Sequence, residues 1–410
     1  MLLLTLAWRN LWRQKRRTIL TASALALALF LSLSMRSLQE GTYQNSIDNS
    51  ARLSTGLIQL QHPEFGESNS IDDLVPGTEE FIAPIKDDEA ITNLLPRIES
   101  FALAAAKDKS KGIMVVGVEP NLEDQYSNLG KKVSQGHYLE AGKQQVLVGE
   151  SLARYMQLSV GDELVLYGQG YRGQTAAGLF IVSGIISLPI PQLESQLVYI
   201  PIDQAQIMFS TGDKVTSWVL HIEPLSQLST KLSELQILYG EDTRVRDWTD
   251  LSPETAQNIQ MDKAGGIFMM LVLYGVVGFG LFATILMMTL ERQREFGVML
   301  ATGLLRSRLL TLIGIESVLI GLLGAVMGMI LATPVLVYFH FNPIELTGET
   351  ATLMLEAGME PVLPFALSGM LYLNQAMIVL GLLMLCLIYP LIRVYKLNLV
   401  SALKGGAHAD

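Results

Sequence analysis

Four long apolar runs constrain the fold of this chain more than any other feature of its sequence. Each is long enough to cross about 30 Å of hydrocarbon at about 1.5 Å of rise per helical residue. The runs are Thr18 to Met35, Ile267 to Leu290, Leu310 to Phe339 and Ala376 to Ile392. Half of the residues are hydrophobic and only 17% are charged, which is unusual for a soluble protein. The sequence therefore predicts an α-helical membrane protein with four transmembrane helices.

Most of the basic residues next to the apolar runs lie on one side of the predicted membrane. They are Arg9, Arg13, Lys15, Arg16 and Arg17 before the first run, Arg292, Arg294, Arg306 and Arg308 between the second and third, and Arg393, Lys396 and Lys404 after the fourth. No Lys or Arg lies between Leu309 and Ile392. Because basic residues are retained in the cytoplasm, both termini and the segment after the second run are predicted to be cytoplasmic.

The runs and charges together predict the organisation of the whole chain. It consists of a cytoplasmic interfacial helix at 1–17, transmembrane helices at 18–38, 264–290, 310–339 and 374–393, an outer domain at 39–263, a cytoplasmic helix segment at 291–309, an outer loop at 340–373 and a cytoplasmic tail at 394–410. The chain has a net charge of -10, and the acidic residues concentrate in the outer domain, which argues against nucleic acid as a ligand.

The outer domain alternates strand-like runs with short helical patterns, which predicts a large α+β domain of two lobes. The strand-like runs are 57–60, 113–118, 145–148, 163–167, 179–186, 197–200 and 218–222, and the helical patterns are 150–158, 203–209 and 226–238. Residues Gly168 to Gly178 lie between two of these runs and are predicted to form a hairpin tip. Cys386 is the only cysteine and lies in the fourth apolar run, so this domain must fold without disulfides.

The sequence contains no recognisable catalytic or metal-binding motif. The phosphate-loop pattern GxxxxGK[ST], the zinc pattern HExxH and the nucleophile elbow GxSxG are all missing, and the five histidines are scattered. The chain is therefore predicted to be neither an enzyme nor a metalloprotein, and it carries no cofactor of its own.

A charged segment, ERQREFGVMLATG at Glu291 to Gly303, separates the second and third apolar runs. On a helix, Glu291 and Arg292 lie three or four positions from Arg294 and Glu295, which gives an ion-paired polar face. Phe296, Val298, Met299 and Leu300 give the segment an apolar face as well. A cytoplasmic helix of this kind needs either a protein partner or the lipid surface, and charge alone favours neither.

The third apolar run contains a carboxylate and several glycines. Glu316 is costly in a membrane unless it is paired, so it is predicted either to couple or pack helices or to be a hydrogen-bonded carboxyl near the interface. Gly321, Gly324 and Gly328 allow another helix to approach closely, and the last two form a GxxxG pair. The partner helix lies either in a second copy or, as we favour, in the same chain.

The charged segment resembles the ERxREIGxLxAxG signature that connects two spans in FtsX-type ABC permeases. Phe296 stands where that family usually has Ile, and Thr302 stands where Leu is common. The outer segments VVGVEP, LVGESLARYMQLSVGDELVL, FIVSGII and VYIPIDQAQ are similar to the periplasmic domain of MacB and of the lipoprotein-releasing LolC/LolE permeases. The tail YPLIRVYKLNLVSALKG resembles the ending of these proteins.

The resemblance implies a permease subunit of the bacterial inner membrane, with a periplasmic domain and cytoplasmic termini. In such permeases the charged segment is a coupling helix that contacts a separate dimeric ATPase, which binds the ATP and Mg. The residues that match the motif, and to which this role is transferred, are Glu291, Arg292, Arg294, Glu295, Phe296, Gly297 and Gly303. A second permease copy or a paralogue completes the transporter.

The resemblance also bears on the cargo. It is closest to the lipoprotein-releasing permeases, which implies extraction of a lipoprotein or another amphiphile from the outer leaflet. The hairpin at 168–178 is shorter than the extension of the LolC type, which favours a LolE-like role or a different cargo. Two alternatives stay open: a MacB-like exporter of peptides, toxins or drugs, and an FtsX-like scaffold that regulates a periplasmic enzyme. A lipid-handling permease predicts an apolar cleft between the first and second spans that is open to the bilayer, whereas a scaffold predicts closely packed spans and no cavity.

Overall fold

The chain forms two compact units in a computed structural model, which describes residues 2–13, 15–188, 191–356 and 361–397. The helical unit contains residues 1–43, 260–344 and 363–410, and the α/β unit contains residues 44–259 and 345–362. The helices are α1 (Leu2–Arg13), α2 (Lys15–Ser50), α3 (Phe65–Ser68), α4 (Glu79–Ile82), α5 (Pro120–Ser127), α6 (Glu150–Met156), α7 (Pro191–Gln196), α8 (Ile202–Phe209), α9 (Leu228–Tyr239), α10 (Trp248–Leu251), α11 (Pro253–Glu291), α12 (Gln293–Ala301), α13 (Arg306–Phe341), α14 (Glu349–Glu356) and α15 (Gly369–Tyr395).

The strands are β1 (Ile58–Gln61), β2 (Val75–Pro76), β3 (Ile91–Ala106), β4 (Lys109–Val118), β5 (Val133–Gly136), β6 (Gln145–Gly149), β7 (Glu163–Gln169), β8 (Thr175–Ile186), β9 (Leu197–Pro201), β10 (Lys214–Val215), β11 (Ser217–Ile222), β12 (Arg244–Asp247), β13 (Ile344–Glu345) and β14 (Val362–Leu363).

Among the described residues, four helices are long and apolar enough to cross a membrane, and they contain the four predicted runs. They are Thr18–Ser50 within α2, then α11, α13 and α15. These helices exceed the predicted spans: α2 continues past residue 38 to Ser50, and α11 begins at Pro253. The predicted tail is described only as far as Leu397, and residues 398–410 lie outside the described residues, as do residues 357–360 of the predicted loop.

Helix α13 packs against α2 through its glycines. A Cβ atom at Gly324 would lie 2.6 Å from Leu25 Cβ, and one at Gly328 would lie 2.9 Å from Leu29 Cβ. A Cβ atom at Gly321 would instead meet Leu383 of α15 at 2.5 Å. Since such contacts are too short for real Cβ atoms, these glycines let three helices of one chain approach closely. The GxxxG pair therefore lies at a helix contact within the chain.

Six strands of the α/β unit close into a ring. Neighbouring strands pair in the order β3, β4, β9, β6, β8 and β7, and β7 pairs back to β3. The interior holds alternate apolar side chains such as Ala104, Leu166 and Phe180, as expected for a small barrel. The first half of β3 extends into a second layer, in the order β12, β1, β11 and β3. The unit is therefore a mixed α/β structure whose two parts share the long strand β3.

The hairpin predicted at Gly168 to Gly178 joins β7 and β8, which pair antiparallel from Glu163 to Gln169. Its tip is shorter than predicted, because β8 begins at Thr175. Strand β3 was not predicted. It contains Pro96, which normally argues against an inner strand, and its end is rich in alanine, which favours strands weakly.

A buried histidine lies near the end of β11, an inner strand of the second layer. His221 is 1% exposed, and its Nε2 lies 3.1 Å from Arg52 Nη2 and 3.4 Å from both Asp48 Oδ1 and Glu223 Oε1. Its Nδ1 lies 3.4 Å from the hydroxyl of Tyr126. Burial and the neighbouring guanidinium lower the pKa of His221, although the two carboxylates oppose this shift. The neutral form of the imidazole is therefore favoured in the folded protein.

Candidate functional site

The charged segment between α11 and α13 folds as the short helix α12. Its end has the hydrogen bonds of a Schellman motif: the Gly303 amide donates to the Leu300 carbonyl at 3.1 Å, and the Leu304 amide donates to the Met299 carbonyl at 3.0 Å. Gly303 has a φ of +96°, a backbone conformation that glycine adopts far more readily than other residues. This is why the motif ends in glycine, and it fixes the angle at which the chain leaves α12.

A buried ion pair joins the start of α12 to α13. Arg292 Nη1 lies 2.5 Å from Glu316 Oε2, and both side chains are less than 10% exposed. The Asn10 side-chain amide of α1 donates to Glu316 Oε1 at 2.7 Å. Glu316 is thus both paired and hydrogen bonded, which is what a carboxylate in an apolar helix requires.

A second layer of contacts surrounds this pair. Arg13 of α1 donates to Glu295 Oε1 at 2.6 Å, and Arg292 Nε donates to Glu295 Oε2 at 3.3 Å. The Arg292 guanidinium also lies 5.2 Å from the centre of the Phe296 ring, a cation–π distance. We call Asn10, Arg13, Arg292, Glu295 and Glu316 the Glu316 cluster. It connects α1, α12 and α13 through charged side chains and one amide, which make ion pairs and hydrogen bonds at several points.

The seven motif residues fall on two sides of α12. Arg292, Phe296 and Gly297 are buried, Glu295 is half-buried in the Glu316 cluster, and Glu291, Arg294 and Gly303 are exposed. Phe296 is 1% exposed and packs in the core of the helical unit. Its assignment to an apolar face open to a partner is therefore wrong, because the helix turns positions 292 and 296 inward together.

The exposed side of α12 carries its own helical stripe. Arg294, Val298 and Ala301 of α12 follow one another at intervals of three or four residues and are all exposed, and Glu291 and Leu305, which flank α12 on either side, are exposed as well. Val298 is 49% exposed and Leu305 is 59% exposed. This outer stripe, rather than the whole motif, is the part of α12 that another protein can touch.

Sequence reasoning missed two members of the Glu316 cluster, Asn10 and Arg13. The sequence marks Arg13 only as one of several basic residues before the first apolar run, and no pattern marks Asn10. Asn10 lies 306 positions from Glu316 along the chain, and no local pattern reports a contact of that range. The predicted alternative of a coupling or packing contact for Glu316 named no partner, and the structure supplies two.

A recess of about 810 Å³ opens between α2, α11 and α15 at the end of the helical unit away from α12. Its walls are largely apolar, with Ile267 and Leu271 on one side and Ile378 and Leu382 on the other. Arg36 lies at the recess. By contrast, the cavity beside the Glu316 cluster has a volume of only about 30 Å³, room for little more than one water molecule.

The α/β unit exposes a patch of large apolar side chains on the outside of its strand ring. Phe101 and Leu103 of β3, Val165 and Tyr167 of β7, and Leu179 of β8 are each more than 40% exposed. The strand register places Leu103 opposite Tyr167, and Val165 opposite Leu179. Contiguous patches of this kind usually mark interaction surfaces.

One group of potential metal ligands occurs among the described residues, His62, Glu64 and Asp73, whose ligand atoms lie within 4.8 Å of one another. His62 Nδ1 already accepts a hydrogen bond from the Glu64 amide at 3.3 Å and lies 3.5 Å from Asp73.

Two models of known protein families match this chain. The model of the MacB-like periplasmic core domain matches residues 18–235, which is more than half of the 410 residues. The model of the FtsX-like permease C-terminal region matches residues 267–399. The chain therefore belongs to the family of permeases that combine a MacB-like periplasmic core domain with an FtsX-like C-terminal region.

Individual relatives are distant. The lipoprotein-releasing system transmembrane protein LolC of Xylella fastidiosa is 22% identical over 61% of this chain and 62% of its own length. The corresponding LolE of Haemophilus influenzae is 25% identical over 60% of this chain and 62% of its own length. The matches thus span less than two thirds of these relatives. The crystal structure of the periplasmic region of MacB from Actinobacillus actinomycetemcomitans covers 52% of this chain and 99% of its own, at 17% identity and a TM-score of 0.35.

Proposed function

We propose that this chain is the permease subunit of an ABC transporter and that a separate ATPase drives it through the outer stripe of α12. The Glu316 cluster is the observation that carries this proposal. A short helix held by a buried ion pair to a long apolar helix can transmit a push from its exposed side. Family membership supports the same role.

In this proposal the α12 side of the helical unit faces the cytoplasm. The Lys and Arg residues at α1, α12 and the end of α15 support this orientation, as does their absence between Leu309 and Ile392. Both termini are then cytoplasmic, and the α/β unit is periplasmic in a bacterial inner membrane.

The proposed partners are a cytoplasmic ATPase dimer, which supplies the ATP and Mg sites, and a second permease copy or paralogue. This chain lacks a phosphate-loop sequence, so the energy has to come from another subunit. Within the chain, the buried part of α12 transmits the motion, and Glu291, Arg294, Val298 and Leu305 contact the partner.

The proposed cargo is a lipoprotein or another amphiphile taken from the outer leaflet. The apolar recess between α2, α11 and α15 supports a lipid-handling permease over a scaffold of closely packed spans. It differs from the predicted cleft between the first two spans, because α15 forms one of its walls. The apolar patch on β3, β7 and β8 supports an apolar cargo or partner at the α/β unit. Export of peptides, toxins or drugs is the second candidate.

The coupling role is tested by measuring substrate-stimulated ATP hydrolysis in the reconstituted complex with Glu316→Gln. We expect the ATPase to remain bound, because its contact surface is unchanged, and stimulation to fall by about fivefold or more, the range typical of coupling between sites. Glu349→Gln, which removes an exposed carboxylate at the start of α14, is the matched control. Full stimulation in a folded Glu316→Gln complex would refute the role.

The cargo is tested by photo-crosslinking from a residue of the recess wall, Leu271, in membranes that contain endogenous substrates. A crosslinked lipoprotein supports the extraction role. Crosslinks to unlipidated peptides alone would favour the export alternative, and the coupling result above is independent of either outcome.

A further inference from the structure

The recess between α2, α11 and α15 combines an apolar wall with Arg36, for which the described residues provide no acidic partner. The side chain that bonds to Arg36 among the described residues is Gln39, which accepts from Arg36 Nη1 at 2.9 Å and is neutral. Arg36 is half-buried, so its charge is only partly satisfied by water. A guanidinium in such surroundings favours an anion, and it matches phosphate geometry with two parallel hydrogen bonds.

The position of the recess along the apolar helices indicates which kind of anion fits it. Arg36 directly follows the apolar run of α2, Ile267 begins the apolar run of α11, and Gln375 directly precedes that of α15. All three therefore lie where hydrocarbon gives way to the polar interface. From Gln375 the recess continues to Leu382, about 10 Å deeper along the helix at 1.5 Å per residue. A ligand that fills it has a charged group at the mouth and an apolar chain below.

The interior of the recess is built to remain open. A Cβ atom at Gly275 would meet no heavy atom within 4 Å, so this glycine leaves space on the wall of α11. The hydroxyl group of Tyr274 donates a hydrogen bond to the side-chain oxygen of Gln375, and this pair forms the polar part of the wall. At Gly266 a Cβ atom would collide with the Gln39 amide, so this glycine admits the side chain that positions Arg36.

We propose that this recess is a binding site for an anionic phospholipid, whose phosphate lies on Arg36 and whose acyl chains lie against Ile267, Leu271 and Ile378. A volume of about 810 Å³ lies within the usual range of small-molecule pockets and suits the upper part of the acyl chains. The site is formed within one protomer, and a cargo that enters the same recess competes with the phospholipid for it.

Native mass spectrometry of the purified full-length chain tests this proposal. The chain is equilibrated with phosphatidylglycerol or phosphatidylcholine of the same acyl chains, and the retained lipid is counted. We expect wild type to retain phosphatidylglycerol about tenfold better, the effect of one charge-assisted contact, and Arg36→Gln to remove that preference. Arg36→Lys should keep most of it. Glycerophosphoglycerol, the headgroup without chains, should not compete.

A second variant separates the pocket from the charge. Gly275→Leu fills the recess and should reduce retention of both lipids, whereas Gly280→Leu, at another open position of α11 outside the recess, should not. Arg393→Gln is the control for charge. Equal retention of the two lipids by wild type, or a preference that survives Arg36→Gln, overturns the proposal. So does a wild-type dimer that buries this face and retains no lipid.

Discussion

Glu316 shows how a single carboxylate can set the position of a helix. It lies within an apolar helix, yet its ion pair with Arg292 and its bond from Asn10 leave it 6% exposed. Buried pairs of this kind add little net stability, because desolvation offsets the attraction. Their value is positional, since either partner alone is costly.

We predict that Glu316→Ala lowers the free energy of unfolding by about 3–5 kcal/mol, because Arg292 is left buried without a partner. Denaturant titration in mixed micelles measures this change. Arg292→Met combined with Glu316→Leu should recover most of the loss. Glu295→Ala is the comparison, since its 38% exposed side chain makes a weaker pair that is worth about 1 kcal/mol or less. Equal losses for Glu295→Ala and Glu316→Ala would contradict this interpretation.

His221 predicts a pH dependence of stability. Burial and Arg52 lower its pKa in the folded state, so the unfolded chain binds more protons below about pH 6.5, the ordinary histidine pKa. The contribution of the neutral imidazole is complete above that pH and is lost as the pH falls through the lowered pKa. Asp48, Glu223 and Tyr126 are the other titratable neighbours.

The measurement is the unfolding midpoint of full-length wild type and His221→Gln as the pH falls from about 7.5 to about 5.5, across the ordinary histidine pKa. Wild type should lose stability more steeply than the variant. Parallel curves would show that this histidine does not titrate as described.

The elements differ in how far they could be predicted. The four apolar helices were predicted because an apolar run of this length is characteristic of a helix that spans a membrane. Strand β3 was missed because Pro96 and its alanines carry weak strand signals. The inward side of α12 was misassigned because a nine-residue helix with charged and apolar residues can present either face. Only the contact of Phe296 with the helical core decides between them.

At the level of helix packing, we predict that Gly324→Ala destabilises the helical unit by about 1–3 kcal/mol, the usual cost of overpacking. The added methyl group would lie 2.6 Å from Leu25 Cβ, so α2 or α13 must shift. Gly314→Ala, at an open position of the same helix, should be neutral or slightly stabilising because alanine favours helices. Denaturant titration of both variants tests this, and equal effects would refute the proposed contact.

For the whole molecule, the charge distribution predicts the orientation in the membrane. A cysteine in place of Gly173, at the tip of the β7–β8 hairpin, should react with an impermeant thiol reagent added outside the inner membrane. A cysteine in place of Ser307, at the start of α13, should react only after the membrane is opened. Both are made in a Cys386→Ala background. Reaction of Ser307→Cys in cells with an intact inner membrane would contradict the predicted topology and indicate the opposite orientation.

The central claim is that an ATPase contacts the outer stripe of α12 while the inner side holds the helix to the permease. The most direct measurement is photo-crosslinking to the coexpressed ATPase from position 298 and, as a control two residues away, from position 296. Val298 is 49% exposed and Phe296 is 1% exposed, so the account predicts crosslinks from position 298 and none from position 296. Crosslinks from position 296 alone, or an intact complex without crosslinks from position 298, would contradict it.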